Sequence, residues 1–401
     1  MPAALHTFKP RPAFLQPVVE HAASPRFIPI PQPQPVNCTL PLTAILGADA
    51  VQQIATGGRI VFHSVGDTGG IYGTGVQDAV AEAMEAQVAA GAAAPVPSFF
   101  YHLGDVVYFN GQSADYPQQF YEPYKYYQPP IMAIAGNHDG DTRVRPGDQP
   151  DTDPSSLYGF FQNFCDTQRR PIDSYRDTMT QPYVYWTLQA PFVTIIGLYS
   201  NVEGLLDGAG TVAQQQWLTD QLRNADQTTC IVVAVHHPPY SLDKAHGGYP
   251  TILSVLDQAA QDAGVWPHAV LSGHVHDYQR FTRTVPSAGG QQQVLYVVAG
   301  AGGYANTPTL IHKLRRDPAN PSAPVACPTQ LPAPYDDVSL RGYCENAAGF
   351  LRVTVDAKAL LVEYYSVPIA GGPGTLFDAV TLDYTTRTVT NEMNPGTTGA
   401  A

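Results

Sequence analysis

The chain has 401 residues, 44% of them hydrophobic, so it can bury a large core, and general disorder is excluded. A net charge of −13 leaves little basic surface to displace counterions from a phosphate backbone, which argues against nucleic-acid binding. No uninterrupted apolar run approaches the roughly 20 residues of a membrane helix. Met1–His6 lacks the basic-then-apolar layout of a signal peptide, so no leader is visible; either the protein is not exported by that route or a leader has been removed. Five cysteines form no C-x-x-C pair; a local Cys327–Cys344 bridge and unpaired buried thiols are both open readings.

Residues 1–55 are rich in proline, with Pro31, Pro33 and Pro35 alternating with glutamine, and read as an extended arm. Within it, Asn37-Cys38-Thr39 fits a glycosylation acceptor. Arg59–Val65 is a strand candidate ending in Gly66-Asp67-Thr68-Gly69. A helix is expected over 76–90, with Val76, Val80, Met84 and Val88 on one stripe. A second strand, 98–103, ends in Gly104-Asp105-Val106-Val107-Tyr108, and a third, 131–135, ends in Gly136-Asn137-His138-Asp139. The tyrosines between them (Tyr116 to Tyr127) suit core or pocket wall.

The segment 140–182 reads as loop with short helical pieces. Two neighbouring antiparallel strands are expected over 183–188 and 192–198, then a helix near 214–222. Cys230–Val235 is an apolar strand ending in His236-His237-Pro238, and a helix near 252–263 leads to Val270-Leu271-Ser272-Gly273-His274-Val275-His276. A β-rich tail closes the chain, with 349–355 and 359–367 forming a hairpin. The strand–helix–strand order predicts an α/β fold with parallel crossovers, and no repeat or linker divides residues 56–401.

Polar residues thus cluster just past the carboxyl ends of successive strands, where open α/β sheets place their ligands. They are Asp67, Asp105 with Tyr108, Asn137 with His138, His236, and His274 with His276. Two hard cations held close together need a bridging carboxylate and separate terminal donors, and this set supplies both. His63 and His102 sit inside strands and read as packed histidines. Gly300–Gly303 does not open a helix and reads as a tight return near the site rather than a nucleotide loop.

Taken together, the five blocks resemble the signature blocks of the calcineurin-like metallophosphoesterases. More narrowly, with tyrosine closing the second block, they resemble the purple acid phosphatases, over roughly residues 58–367. The resemblance implies an α/β/β/α sandwich of two mixed sheets flanked by helices. It also implies two metal ions. Asp67, Tyr108 and His276 would hold Fe(III), Asp105 would bridge, and Asn137, His236 and His274 would hold a divalent ion (zinc, iron or manganese). It implies further that metal-held hydroxide attacks a phosphate monoester, a small-molecule substrate. His138 would contact phosphate and help protonate the leaving group, with Asp139 fixing its tautomer, and His246 would face the substrate.

The sequence departs from the family pattern at several points. Gly69 stands where many relatives have histidine, and Tyr108 fills that gap. His236 and His237 are adjacent; the His-x-Pro pattern selects His236. Gly247-Gly248-Tyr249 follows His246 without the histidine and acid of some plant members, and their N-terminal β-domain has no counterpart here. The alternatives are a phosphodiesterase on the same scaffold and, more remotely, a non-catalytic metal- or phosphate-binding regulatory protein.

Overall fold

The computed structural model describes residues 30, 38–70, 73–90, 95–140, 153, 155–173, 175–287 and 289–393. Strand β1 (Thr39–Pro41) is followed by two helices, α1 (Thr43–Leu46) and α2 (Ala48–Thr56), hinged at Gly47 with φ 82°. The expected extended arm therefore does not hold over 38–55, where few prolines interrupt the backbone. Asn37 and the alternating prolines lie outside the described residues.

Strand β2 (Arg59–Val65), helix α3 (Gly75–Ala89), β3 (Phe100–His102) and β4 (Ile131–Ala133) come next, the three strands parallel to one another. Short helices α4 (Asn137–Gly140) and α5 (Tyr158–Phe164) lead to β5 (Trp186–Ala190) and its antiparallel neighbour β6 (Val193–Leu198). Then α6 (Val212–Asn224), β7 (Cys230–Val235), α7 (Pro250–Ala263) and β8 (Ala269–Ser272) alternate, with β6, β7 and β8 parallel. The tail carries β9 (Tyr278–Ser287), β10 (Gly290–Ala299), β11 (Thr329–Gln330), β12 (Val338–Cys344), β13 (Ala348–Asp356), β14 (Ala359–Val367), β15 (Thr375–Asp383) and β16 (Thr388–Glu392).

These strands form two mixed sheets flanked by helices. One runs β1-β5-β6-β7-β8-β10-β9-β12-β11 and the other β16-β15-β14-β13-β2-β3-β4. Every residue of β7 is buried, which explains its unbroken apolar run, because helices or the second sheet cover both faces. In β14, Leu360, Val362 and Tyr364 are buried while the residues between them are partly exposed, the alternation of a strand with one covered face. Helix α3 buries Val76, Val80 and Met84 and packs on β13 and β14.

Two contacts clamp the sheets together. Tyr278 of β9 stacks on Tyr364 of β14, with centroids 4.0 Å apart. Arg280 of β9 donates to both oxygens of Asp378 on β15, at 2.8 and 3.0 Å, with both side chains fully buried. The tyrosine-rich segment is core: Tyr116, Tyr121, Tyr124 and Tyr127 are buried, and only Tyr126 faces solvent. No disulfide joins any of the five cysteines.

Candidate metal centre

The polar residues gather where the carboxyl ends of the parallel strands from both sheets meet. Asp67 follows β2, Asp105 and Tyr108 follow β3, and Asn137 follows β4, all from one sheet. His236 follows β7, and His274 and His276 follow β8, from the other. The glycines beside them permit this approach. A Cβ on Gly104, whose φ is +93°, would stand 2.7 Å from His236 Nδ1, and one on Gly273 would stand 2.6 Å from Asp67 Oδ2.

The donors divide into two sets that share Asp105. The Tyr108 hydroxyl donates to Asp67 Oδ1 and to Asp105 Oδ2, both at 3.2 Å, and His276 Nε2 lies 3.5 Å from Asp67 Oδ1. On the other side, His236 Nε2 lies 3.3 Å from Asp105 Oδ2 and 3.1 Å from Asn137 Oδ1. Asp105, His236 and His274 each offer a ligand atom within 4.8 Å of the others.

The surroundings fit cations. His236 Nδ1–H donates to the Leu103 carbonyl (2.8 Å), which leaves the Nε2 lone pair able to bind a cation. The Tyr249 hydroxyl sits 2.6 Å from His274 Nε2, which leaves Nδ1 for a metal. Burial pushes the Asp67 carboxyl up to about 8 against the pull of His236, so additional positive charge beside it would be needed to keep it ionised in this dry site. Burial also disfavours the Asp105 anion, but His236 and His138 hold it below the ordinary carboxylate range. Burial and the two carboxylates keep the Tyr108 phenol well above its usual value, so a highly charged cation would be needed to ionise it.

The residues around the two donor sets take distinct places. His138 is half-buried at the rim, its Nδ1 2.7 Å from the Phe109 carbonyl. Asp139 does not fix this tautomer. It is buried beneath the site, where it accepts the backbone N–H of Val106 (2.9 Å), Val107 (3.3 Å) and Gly136 (2.7 Å). Adjacent residues on a helical turn diverge by about 100°, and three amides on the far side claim the carboxylate. His237 Nδ1 bonds the Ser200 hydroxyl at 2.7 Å, behind the His236 site. His246 lies with its ring 4.4 Å from that of His274. His63 and His102, inside β2 and β3, are buried, with ring nitrogens 3.0 Å from the Tyr127 hydroxyl and 2.9 Å from the Thr68 hydroxyl, as packed histidines. Gly300–Gly303 indeed turns beside Asp67, with the Tyr304 N–H donating to the Asp67 carbonyl at 3.0 Å.

Four wall residues escaped the sequence reading: Asp243, Tyr249, Tyr304 and His312. Tyr304 stacks on Tyr108 at 4.0 Å, and His312 stacks on His276 at 4.4 Å. Asp243 accepts the N–H groups of Ala245, His246 and Gly247 and so shapes the loop that presents His246. None belongs to a signature block.

A family model for calcineurin-like phosphoesterases matches residues 61–278, more than half of the chain. The chain belongs to this family. Among curated calcineurin-like relatives, purple acid phosphatase 21 of Arabidopsis thaliana is 26% identical over 179 residues, covering 43% of this chain and 36% of that protein. Probable purple acid phosphatase 20 of the same plant is 29% identical over 126 residues, 30% of this chain and 28% of the relative. The chain thus matches well under half the length of these relatives. Among solved structures, purple acid phosphatase PPD1 from yellow lupin (Lupinus luteus) seeds superposes with a TM-score of 0.55 at 17% identity, covering 81% of this chain and 54% of that one. GAP50 of Plasmodium, described as the anchor in the inner membrane complex, gives 0.50 at 11% identity, covering 84% and 89%. The calcineurin-like fold is therefore shared, while activity must be argued from the site. Among the described residues no helix is long and apolar enough to cross a membrane.

Proposed function

We propose that the chain is a dinuclear metal-dependent phosphomonoesterase of purple acid phosphatase type, with residues 56–401 acting as one catalytic unit. The observation that carries this reading is the pair of donor sets meeting at Asp105 (Tyr108 hydroxyl at 3.2 Å on one side, His236 Nε2 at 3.3 Å on the other). Asp67, Tyr108 and His276 would hold a trivalent ion, preferably iron, because a phenolate suits a hard, highly charged cation. Asn137, His236 and His274 would hold a divalent ion, zinc, iron or manganese. Bound there, the two cations would supply Lewis-acid charge at the phosphoryl oxygens and make water a nucleophile near neutral pH.

The chain's own residues then orient the ester. With Nδ1 committed to the Phe109 carbonyl, His138 has Nε2 as the atom that contacts phosphate and exchanges a proton with the leaving group. His246, held by the Asp243 loop, supplies a second imidazole to the anion. Replacement of His138 by alanine should lower kcat about 100-fold while both metals stay bound.

The deciding experiment compares p-nitrophenyl phosphate with bis(p-nitrophenyl) phosphate on metal-loaded protein. Preferred monoester turnover is expected; preferred diester turnover would make it a phosphodiesterase. Protein that holds two metals yet hydrolyses neither would return the non-catalytic reading. The purified protein should show a visible tyrosinate-to-iron band that Tyr108→Phe removes; a colourless protein holding only zinc or manganese would rule out the iron assignment.

A further inference from the structure

We propose that His312 is a phosphate-contacting residue that also positions the metal ligand His276, an inference that rests on the phosphatase reading above. His312 lies in the long connection between β10 and β11 and is half-buried beside the site. Two bonds lock it to His276. The His312 backbone N–H donates to the His276 carbonyl at 3.0 Å, and the His276 backbone N–H donates to His312 Nδ1 at 3.1 Å. An amide nitrogen can only donate, so Nδ1 is an acceptor and the neutral ring carries its proton on Nε2.

Asp243 Oδ2 lies 3.4 Å from the same Nδ1, but this oxygen already accepts the N–H groups of Ala245 and His246, each at 2.8 Å. Both atoms are acceptors, so no hydrogen bond joins them, and the Nε2 proton stays on the ring. One face of His312 stacks on His276, with centroids 4.4 Å apart at 23°. On another side the His246 ring stands 4.8 Å away, itself 4.4 Å from His274.

His246 and His312 thus cover the two histidines of β8's end, one over each metal set. The Nε2–H of His312 is its remaining donor at this rim. Two imidazoles side by side suit two non-bridging oxygens of a tetrahedral anion, since each oxygen can accept one hydrogen bond while a third faces the metals.

Two isosteric substitutions separate the roles. In His312→Asn the amide oxygen stands where Nδ1 stood, so the clamp on His276 survives and the Nε2 donor is lost. In His312→Gln the amide nitrogen reaches the Nε2 position, so the donor survives and the side-chain half of the clamp is lost. Metal-loaded wild type and both variants are titrated calorimetrically with inorganic phosphate, with metal content and thermal melts recorded for each.

His312→Asn should keep two metals per chain and bind phosphate about tenfold more weakly, the loss of one charge-assisted hydrogen bond. His312→Gln should lose metal from the Asp67–Tyr108–His276 set more readily, while its fully loaded form binds phosphate within about threefold of wild type. Unchanged phosphate affinity in His312→Asn overturns the contact. Equal weakening in both variants, tracking metal loss, reduces His312 to a structural role and also overturns it. Wild type that binds phosphate but hydrolyses no ester would defeat the phosphatase reading and leave the His312 contact to be judged on binding alone.

Discussion

Asp67, Asp105 and His274 hold φ values of 58°, 53° and 67°, in the left-handed region that side-chain-bearing residues avoid. Each costs on the order of 1 kcal/mol, and all three are proposed metal ligands. The strain is affordable only because the surrounding strands over-determine the backbone, and it aims each donor inward at the start of its turn. In metal-stripped protein, Asp67→Gly should therefore be more stable than Asp67→Ala by about 1 kcal/mol, measured by urea unfolding. Equal stabilities would mean that the turn relaxes once the carboxylate is removed. The same scale shows where sequence reading ends. The five blocks were legible because each couples a strand to a glycine and a donor of known chemistry. Asp243, Tyr249, Tyr304 and His312 were not, because they reach the site from loops whose paths no local pattern specifies. Asp139 was misjudged for a related reason: adjacency in sequence says little about which way a side chain points on a helical turn.

At the scale of elements, the parallel strands β2, β3, β4, β7 and β8 were readable because burial on both faces demands continuous apolar runs. Helices α1 and α2 were hidden by the proline content of the residues before them. Strands β15 and β16 lie toward one edge of their sheet, where exposed positions break up the apolar signal. Nor does any pattern announce that Arg280 and Asp378, 98 residues apart, form a buried pair between the sheets. In Asp378→Ala, Arg280 would keep only Glu392 at 3.0 Å as an ion-pair partner, with the Met393 carbonyl at 3.1 Å. That change should destabilise the fold by about 3–5 kcal/mol, while the folded fraction keeps its metals and its turnover. Chemical denaturation followed by metal analysis checks both halves of the expectation.

For the whole molecule, buried histidines set the response to acid. Burial lowers His63 and His268 to about 3, so the fold binds fewer protons than the unfolded chain once pH drops below the ordinary 6.5. Their contribution is fully present above pH 6.5 and is lost as pH falls toward 3, at about 1.4 kcal/mol per group per pH unit. Burial raises Asp139 to about 7, which works the other way and offsets one of the two between pH 7 and 4. The stability of metal-loaded protein should therefore fall between pH 6.5 and 4.5, and fall less in His63→Gln, read from urea midpoints at the two pH values. A flat profile in wild type would show that these rings are not held neutral.

The contact between the His274 N–H and Asp67 Oδ2, at 2.7 Å, joins residues 207 positions apart. On a ribosome this imposes a schedule. By the time Asn137 has emerged, Asp67, Asp105, Tyr108 and Asn137 are all outside, yet the histidines that complete both donor sets are still to be made. An early cation would find oxygen donors and none of the proposed imidazole ligands, a site suited to abundant hard ions such as magnesium rather than to zinc. On the proposed ligand set, correct loading would therefore come after His276 has been delivered. Growth conditions that favour magnesium over iron should act on newly made chains more than on finished ones.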